Sequence, residues 1–445
     1  MSLPVTPPSL HQLLAQFAPT RITELMSLPK ELIKNERYFH WDELRHRPTP
    51  AGITHEEWWL ITKFDRVGQA RKLALLNDKS GSPFSYVLAE PILKALRYID
   101  RHAGGADTQI DVTERNRYIF GQLIEESITS SQLEGASTTR RVAEELLRTE
   151  RKPVDNSERM IANNFAAMQH IQTLANTDLT PAIIGEIQRI ITRGTLDNAD
   201  DEGRFRQDDT VNVMDNRDGT ILHKPPLATE LAQRMQRLCE FANQSEDDEP
   251  YCHPVIRAIL LHFMLAYDHP FADGNGRTAR ALFYWAMARH GYRLMEYVSI
   301  SSILRQTTGQ YKRAYLHTET DDGDVTYFLI HQLETIEKAI HALREHLAIK
   351  QNELQQTQQL LAGMSNQLNL RQIALITGAL KGHANAYTIA IHQRSHGISY
   401  ATARQDLMDL VALGLLQEQK KGKAFQYFAP LNLRAIIGQL NSQRN

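Results

Sequence analysis

Hydrophobic residues recur at steps of three and four positions through the middle of the chain, and this spacing predicts amphipathic helices. The periodic segments all fall between residues 111 and 347; they are Ile119–Ile128, Met160–Leu174, Ile183–Ile191, Leu227–Phe241, Val255–Tyr267 and Ala281–Ala288. Residues 210–223 depart from the pattern, because short runs of β-forming residues there flank Asp218-Gly219. An Asp-Gly pair between two such runs predicts a β-hairpin. The chain is therefore predicted to be mainly α, with a β-hairpin inserted in its helical core.

The first part of the chain differs from this helical middle. Prolines interrupt it repeatedly, and Thr54 followed by Glu57 predicts a capped helix start. The three tryptophans of this part are expected to pack into a local core. Residues 1–108 are therefore predicted to form an N-terminal cap region.

A long helix is predicted where the helical middle ends. Its seam positions alternate between steps of four and three residues, as in a coiled coil; they are Ile336, Ile340, Leu343, Leu347, Lys350, Leu354, Thr357 and Leu361. Two of these residues are polar, so packing within the domain and pairing into a homodimer fit the pattern equally well. With a boundary near Gly363, we expect four regions: 1–108, a helical domain at 109–345, a helical linker at 346–364 and a tail domain at 365–445.

Composition limits the kind of protein. The 445 residues are 42% hydrophobic and 23% charged, as in globular proteins, and 50 basic against 52 acidic residues exclude a chain-wide polycation. Two cysteines cannot form a disulfide framework or a four-ligand zinc site, which favours a reducing cytosol. The N-terminus lacks the features of a signal peptide, and the most apolar stretch, 255–267, is too short to span a bilayer. We therefore expect a cytoplasmic protein without membrane association.

The segment His269-Pro-Phe-Ala-Asp-Gly-Asn-Gly-Arg-Thr-Ala-Arg280 carries the candidate chemistry. A long apolar helix is predicted to end before it, and a second helix to begin within it near Asn275. The N–H groups at such a helix start bind anions. Arg277 and Arg280, three positions apart, add two guanidinium groups, which suits a polyphosphate. Asp273 offers an oxygen ligand for Mg²⁺, and His269, titrating near neutral pH, is the natural general base.

The same segment resembles the signature of the Fic (Fido) family, H-P-F-x-[DE]-G-N-G-R-x-x-R, and matches it at every specified position. Members of that family mostly transfer AMP from ATP, with Mg²⁺, to a Ser, Thr or Tyr hydroxyl of a target protein. The resemblance implies that His269 is the base that deprotonates the hydroxyl, and that Asp273 is the Mg²⁺ ligand. It also implies a set of nucleotide-binding residues: Asp273, Gly274, Asn275, Gly276, Arg277, Thr278, Ala279 and Arg280.

Similarity to the family covers residues 110–340 and implies a Fic helical core. Gly203-Arg-Phe-Arg206, the hairpin at 210–223 and the two prolines after it resemble the family's flap, on which a target segment docks as an added β-strand. Gln310-Tyr311 resembles a pair of positions in the last part of the family's fold. There the family often has two tyrosines near the adenine. Because the first position here is Gln310, Tyr311 is either an adenine contact or a core residue.

A second resemblance lies upstream, in Ser130-Ser-Gln-Leu-Glu134-Gly135. It is similar to the family's autoinhibitory motif, [ST]-x-x-x-E-[GN], and implies an inhibitory helix near residues 115–135. There Glu134 would pair with Arg280 and exclude the terminal phosphate of the nucleotide, because both anions compete for one guanidinium. The resemblance to bifunctional members also allows the glutamate to orient a water for the removal of AMP. The alternative is an ordinary helix end, capped by Gly135.

The tail domain has nine basic and three acidic residues. Its predicted helices, followed by a basic hairpin tip at Lys420–Lys423, give the order of a winged helix-turn-helix. On that interpretation Ser399–Asp409 is the recognition helix and residues 399–423 bind DNA, although Asp406 and Asp409 oppose DNA affinity. A module for protein contacts or dimerisation fits the same pattern.

The sequence favours an enzyme, a protein adenylyltransferase that Glu134 autoinhibits and that is also a candidate for AMP removal. The alternative is a DNA-binding regulator whose Fic core senses nucleotide. His269 favours the enzyme, since a sensor needs no base beside the α-phosphate. Transfer from another nucleotide, or from a phosphocholine donor, is a more distant option on the same scaffold.

Overall fold

The structure is a computed structural model, and most of it is helical. In the part of the chain that it describes, strands occur only as three antiparallel pairs. The described residues are 3–29, 37–50, 52–104, 112–149, 151–215, 217–245, 247–361, 367–380, 387–421 and 424–442. They divide into two compact units, 1–343 and 344–445. The predicted boundary residue, Gly363, lies outside the described residues, and the predicted division of the first unit after residue 108 stays a prediction.

The first unit contains fifteen described α-helices and two hairpins, and the last of these helices continues past residue 343 into the second unit. The helices are α1 (Leu10–Gln16), α2 (Pro19–Met26), α3 (Trp41–Leu44), α4 (His55–Gln69), α5 (Glu90–Ala103), α6 (Val112–Leu133), α7 (Arg140–Thr149), α8 (Asn156–Thr173), α9 (Pro181–Thr192), α10 (Leu231–Asn243), α11 (Pro254–Asp268), α12 (Asn275–Arg289), α13 (Ile300–Gln306), α14 (Thr308–Thr320) and α15 (Thr326–Leu361). The strands are β1 (Arg71–Asn77) with β2 (Pro83–Tyr86), and β3 (Val213–Met214) with β4 (Ile221–His223).

The helix pair α11 and α12 forms the centre of the first unit. Every residue of α11 except Ala266 is buried, and α12 is buried from Arg277 to Met287. A helix that is buried on all sides is a core helix, although Arg257 and His262 interrupt the apolar sequence of α11. The loop between these two helices is therefore held on two rigid, enclosed elements.

The N-terminal part has its own core, as the sequence predicts. Trp41, Trp58 and Trp59 are buried in one cluster with leucines of α1 and α3. The predicted helix start is also confirmed, because Thr54 and Glu57 form a reciprocal capping box at the beginning of α4. Each of the two side chains accepts a hydrogen bond from the backbone N–H of the other residue.

The predicted hairpin at 210–223 is confirmed. Val213 pairs with His223 and Met214 with Ile221, and Gly219 has a φ of 71°, which a residue without a side chain tolerates well. The hairpin β1–β2 was not predicted, because Arg71-Lys-Leu-Ala-Leu-Leu-Asn77 has a leucine spacing that is equally typical of a helix.

The predicted long helix is confirmed as α15, which begins well before the seam. Ile336, Ile340 and Leu343 are buried, and Leu347 is half-buried. The later seam side chains lie outside the described residues, so a role in dimerisation stays a prediction. None of the described helices combines the length and apolar character needed to cross a membrane.

The second unit contains four further helices and a hairpin. They are α16 (Leu370–Leu380), α17 (Ile389–His396), α18 (Tyr400–Ala412), β5 (Gln417–Lys421), β6 (Ala424–Phe428) and α19 (Leu433–Ser442). Gly397 ends α17 with a φ of 62°, and the Ser399 side chain caps α18 by accepting from the N–H of Thr402. A core of its own holds this unit together, including Ile376, Leu407 and Tyr427. The assignment as a winged helix-turn-helix stays a prediction.

Candidate active site

His269 is the first residue after α11 and lies in the left-handed region of backbone conformation. Its φ of 46° and ψ of 56° are rare for a residue with a side chain, so the surrounding contacts must hold it there. Its N–H donates to the carbonyl oxygen of Leu265 at 3.0 Å, which closes the helix end. The backbone of His269 is thereby held at a fixed point where the loop leaves α11.

The protonation state of His269 follows from its surroundings. Its Nδ1 lies 3.3 Å from the carbonyl oxygen of Ala266, and because a carbonyl only accepts, this contact needs the proton on Nδ1. Nε2 then carries the free lone pair. Burial lowers the pKa of His269 to about 4, below the near-neutral value that the sequence suggests. The ring is therefore neutral at pH 7, with Nε2 able to accept a proton.

Asn275 closes the loop that follows. Its side-chain amide donates to the Phe271 carbonyl at 2.8 Å and accepts from the Phe271 N–H at 3.0 Å. Gly274 begins α12 with a φ of 82°, and a Cβ there would lie 2.7 Å from Cγ2 of Thr192. A larger residue at 274 would therefore be both strained and overlapping. Asp273 accepts from the N–H of Gly274 at 2.6 Å, and its side chain is 56% exposed.

The first turn of α12 presents N–H groups at 275–277 that have no partner within the helix. Beside them lie Arg277 and Arg280, both almost fully buried. Arg277 donates to the Ile191 carbonyl at 3.2 Å and lies 3.4 Å from the Asp273 carboxylate. The structure thus brings together the two arginines and the helix start, which is the arrangement of an anion site.

Glu134 occupies part of that anion site. Nη2 of Arg280 lies 2.8 Å from Oε1 of Glu134, and the same arginine donates to the side chain and carbonyl of Ser130. A Cβ on Gly276 would lie 2.1 Å from the Glu134 carboxylate, so the carboxylate rests directly on the glycine. The structure therefore brings together Glu134 and Arg280, which are 146 positions apart.

Electrostatics favours the ionised form of this pair. Burial by itself raises the pKa of Glu134, but the Arg280 guanidinium outweighs it and holds the pKa below its ordinary value. For Arg280, burial opposes the charge, while Glu134 raises the pKa above its ordinary value. The contact is a charge-assisted hydrogen bond between two ions.

Helix α6, which precedes Glu134, is fixed by a buried carboxylate that the sequence did not reveal. Glu126 is 2% exposed and accepts hydrogen bonds from Tyr284, Ser299 and both the N–H and hydroxyl of Ser301. Burial raises the pKa of Glu126 despite these donors. The helix is therefore held to α12 and α13 two turns before its end.

The remaining predicted residues have other surroundings. The Tyr311 hydroxyl lies 2.8 Å from Nε2 of His262, and its ring adjoins those of Tyr315 and Phe328. Tyr311 is thus part of an aromatic cluster, and its contact with adenine stays a prediction. Thr278 donates from its hydroxyl to the Gly274 carbonyl at 2.9 Å, and Ala279 is fully buried, so neither side chain faces solvent.

Arg206 and His223 tie the predicted flap to the loop at residues 269–274 and to the end of α11. Arg206 donates through its side chain to the His269 carbonyl at 3.1 Å and through its N–H to the Pro270 carbonyl at 2.8 Å. Nε2 of His223, at the end of β4, lies 2.7 Å from the Tyr267 carbonyl. The flap is therefore anchored on both sides of His269.

Comparison with known proteins agrees with this architecture. Residues 178–287 match the model of the Fic/DOC family. A protein adenylyltransferase Fic from Drosophila melanogaster is 31% identical over 156 residues, which are 35% of this chain and 29% of that protein. A protein of the same name from Drosophila grimshawi is 43% identical over 70 residues, or 16% of this chain and 14% of that protein. The chain thus spans less than a third of the length of these curated relatives.

A solved structure shares the fold. The Fic family protein from Desulfovibrio desulfuricans G20 aligns with a TM-score of 0.52 and 19% sequence identity, over 78% of this chain and 98% of that one. The alignment extends well beyond the matched family segment. It shows that the helical architecture around the candidate site is a known one.

Proposed function

The chain is a Fic-domain protein, and on this premise we propose that it transfers AMP from ATP to a hydroxyl group of a protein side chain. The observation that carries the proposal is a neutral His269 with Nε2 free, next to a helix start flanked by two buried arginines. The relatives above bear the name protein adenylyltransferase, which supports the same reaction.

The nucleotide phosphates would bind at the first turn of α12. There the N–H groups at 275–277 and the guanidinium groups of Arg277 and Arg280 supply positive charge without a conformational change of the loop. Because Glu134 holds Arg280 in this structure, the carboxylate and a terminal phosphate compete for the same guanidinium. We propose that Glu134 is autoinhibitory for this reason.

Asp273 fits the role of a Mg²⁺ ligand. Its carboxylate is more than half exposed, so a cation that arrives with the nucleotide can reach it, although one oxygen also lies 3.4 Å from Arg277. Mg²⁺ characteristically takes one or two carboxylates together with phosphate oxygens. When bound, such an ion would neutralise charge on the phosphates.

The chemical step requires a proton acceptor and an in-line arrangement. Nε2 of His269 accepts the proton of the target hydroxyl as the hydroxyl oxygen forms a bond to the α-phosphorus. The bond between the α-phosphorus and the bridging oxygen breaks, and pyrophosphate leaves with that oxygen. The target segment would reach His269 along the flap at 210–223, whose strands β3 and β4 offer an edge for an added strand.

A labelling experiment tests the proposal. Protein incubated with lysate, Mg²⁺ and ATP labelled on the α-phosphate is expected to label a target, whereas ATP labelled on the γ-phosphate is not. His269→Ala is expected to abolish labelling and to leave ATP binding within a few-fold, because the imidazole serves only the hydroxyl. His170→Ala, which removes a histidine that faces Glu186 on the neighbouring helix, is the control. Undiminished labelling by His269→Ala would refute the proposal.

A second candidate function, DNA binding by the second unit, is favoured by the position of Asp406. This residue is 3% exposed, and it accepts from Asn369, Arg371 and His392 within 2.7 to 3.0 Å. Its charge is therefore compensated inside the unit rather than presented to DNA. The exposed residues of α18 instead include Arg404.

Salt dependence distinguishes DNA binding from protein contacts. We propose that the full chain binds duplex DNA at low salt, and that affinity falls with salt because phosphate contacts release counterions. Neutralising Lys420, Lys421 and Lys423 together is expected to reduce the slope of this dependence; of the three, Lys423 lies outside the described residues. A gel shift without binding at low salt would favour a module for protein contacts.

A further inference from the structure

The residue immediately before His269 is a fully buried aspartate at the end of α11. Asp268 is 0% exposed, and its Oδ1 accepts a hydrogen bond from Nε of Arg234 at 2.7 Å. Arg234 lies on α10, and its side chain is only 11% exposed. A buried pair of this kind fixes two helices relative to each other, because a guanidinium is a rigid planar donor.

Arg234 also reaches a third element. Its two terminal nitrogens donate to the carbonyls of Asn77, at the end of β1, and of Asp78, the latter at 3.2 Å. One of these nitrogens lies 3.7 Å from the Glu230 carboxylate as well. One side chain thereby links α10, the β1 turn and the final residue of α11.

The contact between Asp268 and Arg234 lies next to His269, whose backbone conformation is constrained. His269 holds a left-handed conformation, and the flap fixes the backbone on one side through Arg206 and His223. Asp268 is a further attachment, which joins the end of α11 to Arg234 on α10. We propose that Asp268 and Arg234 are positioning residues that hold His269 for proton abstraction, an inference that rests on the proposed transfer reaction.

Stability alone does not explain the buried pair of Asp268 and Arg234. Oδ2 of Asp268 has no hydrogen-bond partner among the described residues, and burial raises the pKa of this carboxyl to about 6. Well-packed apolar residues are often at least as stabilising as a buried ion pair. A role in positioning His269 explains why a carboxylate lies directly beside the base. Displacement of a reacting group by 1 Å can lower a rate by about a hundredfold.

Kinetics in the Glu134→Gly background tests the proposal. Asp268→Ala is expected to lower kcat by about 10- to 100-fold while KM for ATP changes by less than about twofold, because the base and not the nucleotide is displaced. Asp268→Asn keeps an acceptor for Arg234 and should recover most of the lost kcat. Glu158→Ala is the matched control, since Glu158 is a buried carboxylate paired with Arg151 at 2.7 Å outside the site.

A second readout does not depend on activity. In a histidine-labelled sample, the imidazole resonance of His269, assigned from its absence in His269→Ala, is expected to shift in Asp268→Ala and not in Glu158→Ala. If Asp268→Ala does not fold, Arg234→Lys, which removes the Nε donor but keeps the charge, should give the same kcat loss and shift.

Two results would overturn the positioning role. One is an unchanged kcat with an unmoved His269 resonance; the other is an equal loss in Asp268→Ala and Asp268→Asn with that resonance unmoved. If the parent transfers no AMP, the proposed function fails, and the resonance of His269 alone then decides whether Asp268 positions it.

Discussion

The Glu134→Gly substitution is expected to raise AMP transfer, because it removes the carboxylate that holds Arg280. In the structure this carboxylate lies 2.8 Å from Nη2 of Arg280 and rests on Gly276. A terminal phosphate that binds the same guanidinium must displace it. The substitution therefore leaves Arg280 free to bind the terminal phosphate without competition from a carboxylate. It removes no group that the reaction needs.

The size of the effect follows from the contact. A hydrogen bond between charged groups contributes about 1.5 to 3 kcal/mol, and each 1.4 kcal/mol corresponds to about tenfold in rate. The expected increase is therefore about 10- to 100-fold. Since the Glu134 side chain is 31% exposed, solvent screening favours the lower half of this range.

The assay is initial-rate labelling with saturating Mg²⁺ and with ATP well below its KM, where competition for Arg280 affects the rate in full. Glu134→Gln keeps an acceptor but loses the charge, so it should give a smaller increase than Glu134→Gly. Glu125→Gln is the control, because Glu125 lies on the same helix and pairs with Arg140 at the same distance of 2.8 Å. Arg280→Ala should not mimic the activation, since the guanidinium is then missing from the active state. Equal rates for wild type and Glu134→Gly would show that Glu134 is only a helix end.

Two further predictions concern pH. In Glu134→Gly the transfer rate is expected to be constant between about pH 6 and 8 and to fall only toward pH 4. The reason is that burial lowers the pKa of His269 to about 4, so the base is unprotonated above that pH. A midpoint near 6.5 in the rate profile would contradict this prediction. In the second unit, burial opposes the charge of Asp406, but its hydrogen bonds, chiefly from Arg371, lower its pKa to about 2. A lowered carboxyl pKa stabilises the fold above the unfolded value of about 4, and this contribution is lost as pH falls toward 2. The hydrogen-exchange protection factors of the second unit, corrected for the intrinsic exchange rate at each pH, should therefore fall over that interval in wild type and much less in Asp406→Asn.

Local signals made the centre of the site predictable. The segment from His269 to Arg280 can be recognised in the sequence by its two glycines, a helix start and closely spaced charges. The capping box at Thr54 and the hairpin around Gly219 are likewise fixed by residues a few positions apart. Where interactions are short-range, the sequence alone specifies the geometry.

Buried polar partners were not predictable, because their contacts join distant segments. Glu126 meets Ser299 and Ser301 more than 170 positions away, and nothing in the pattern of α6 marks it as buried. Asp406 is different, since its spacing from Ala403 and Leu410 places it on the apolar face of α18. Helical periodicity alone would have identified that carboxylate as internal.

The attachment of α6 bears on how the proposed inhibition by Glu134 would be relieved. Glu126 anchors this helix through four hydrogen bonds, whereas Glu134 lies just beyond its last residue and its side chain is bonded to Arg280. If Glu134 is inhibitory, as proposed, release of Arg280 would need rotation of one side chain and no displacement of the helix. If the ion pair favours the closed arrangement by about 1.5 to 3 kcal/mol, roughly 1 to 10% of molecules are open at equilibrium. A partner that binds the open arrangement about a hundredfold more tightly would then be sufficient to populate it, so a modest interaction near the end of α6 would control the proposed activity.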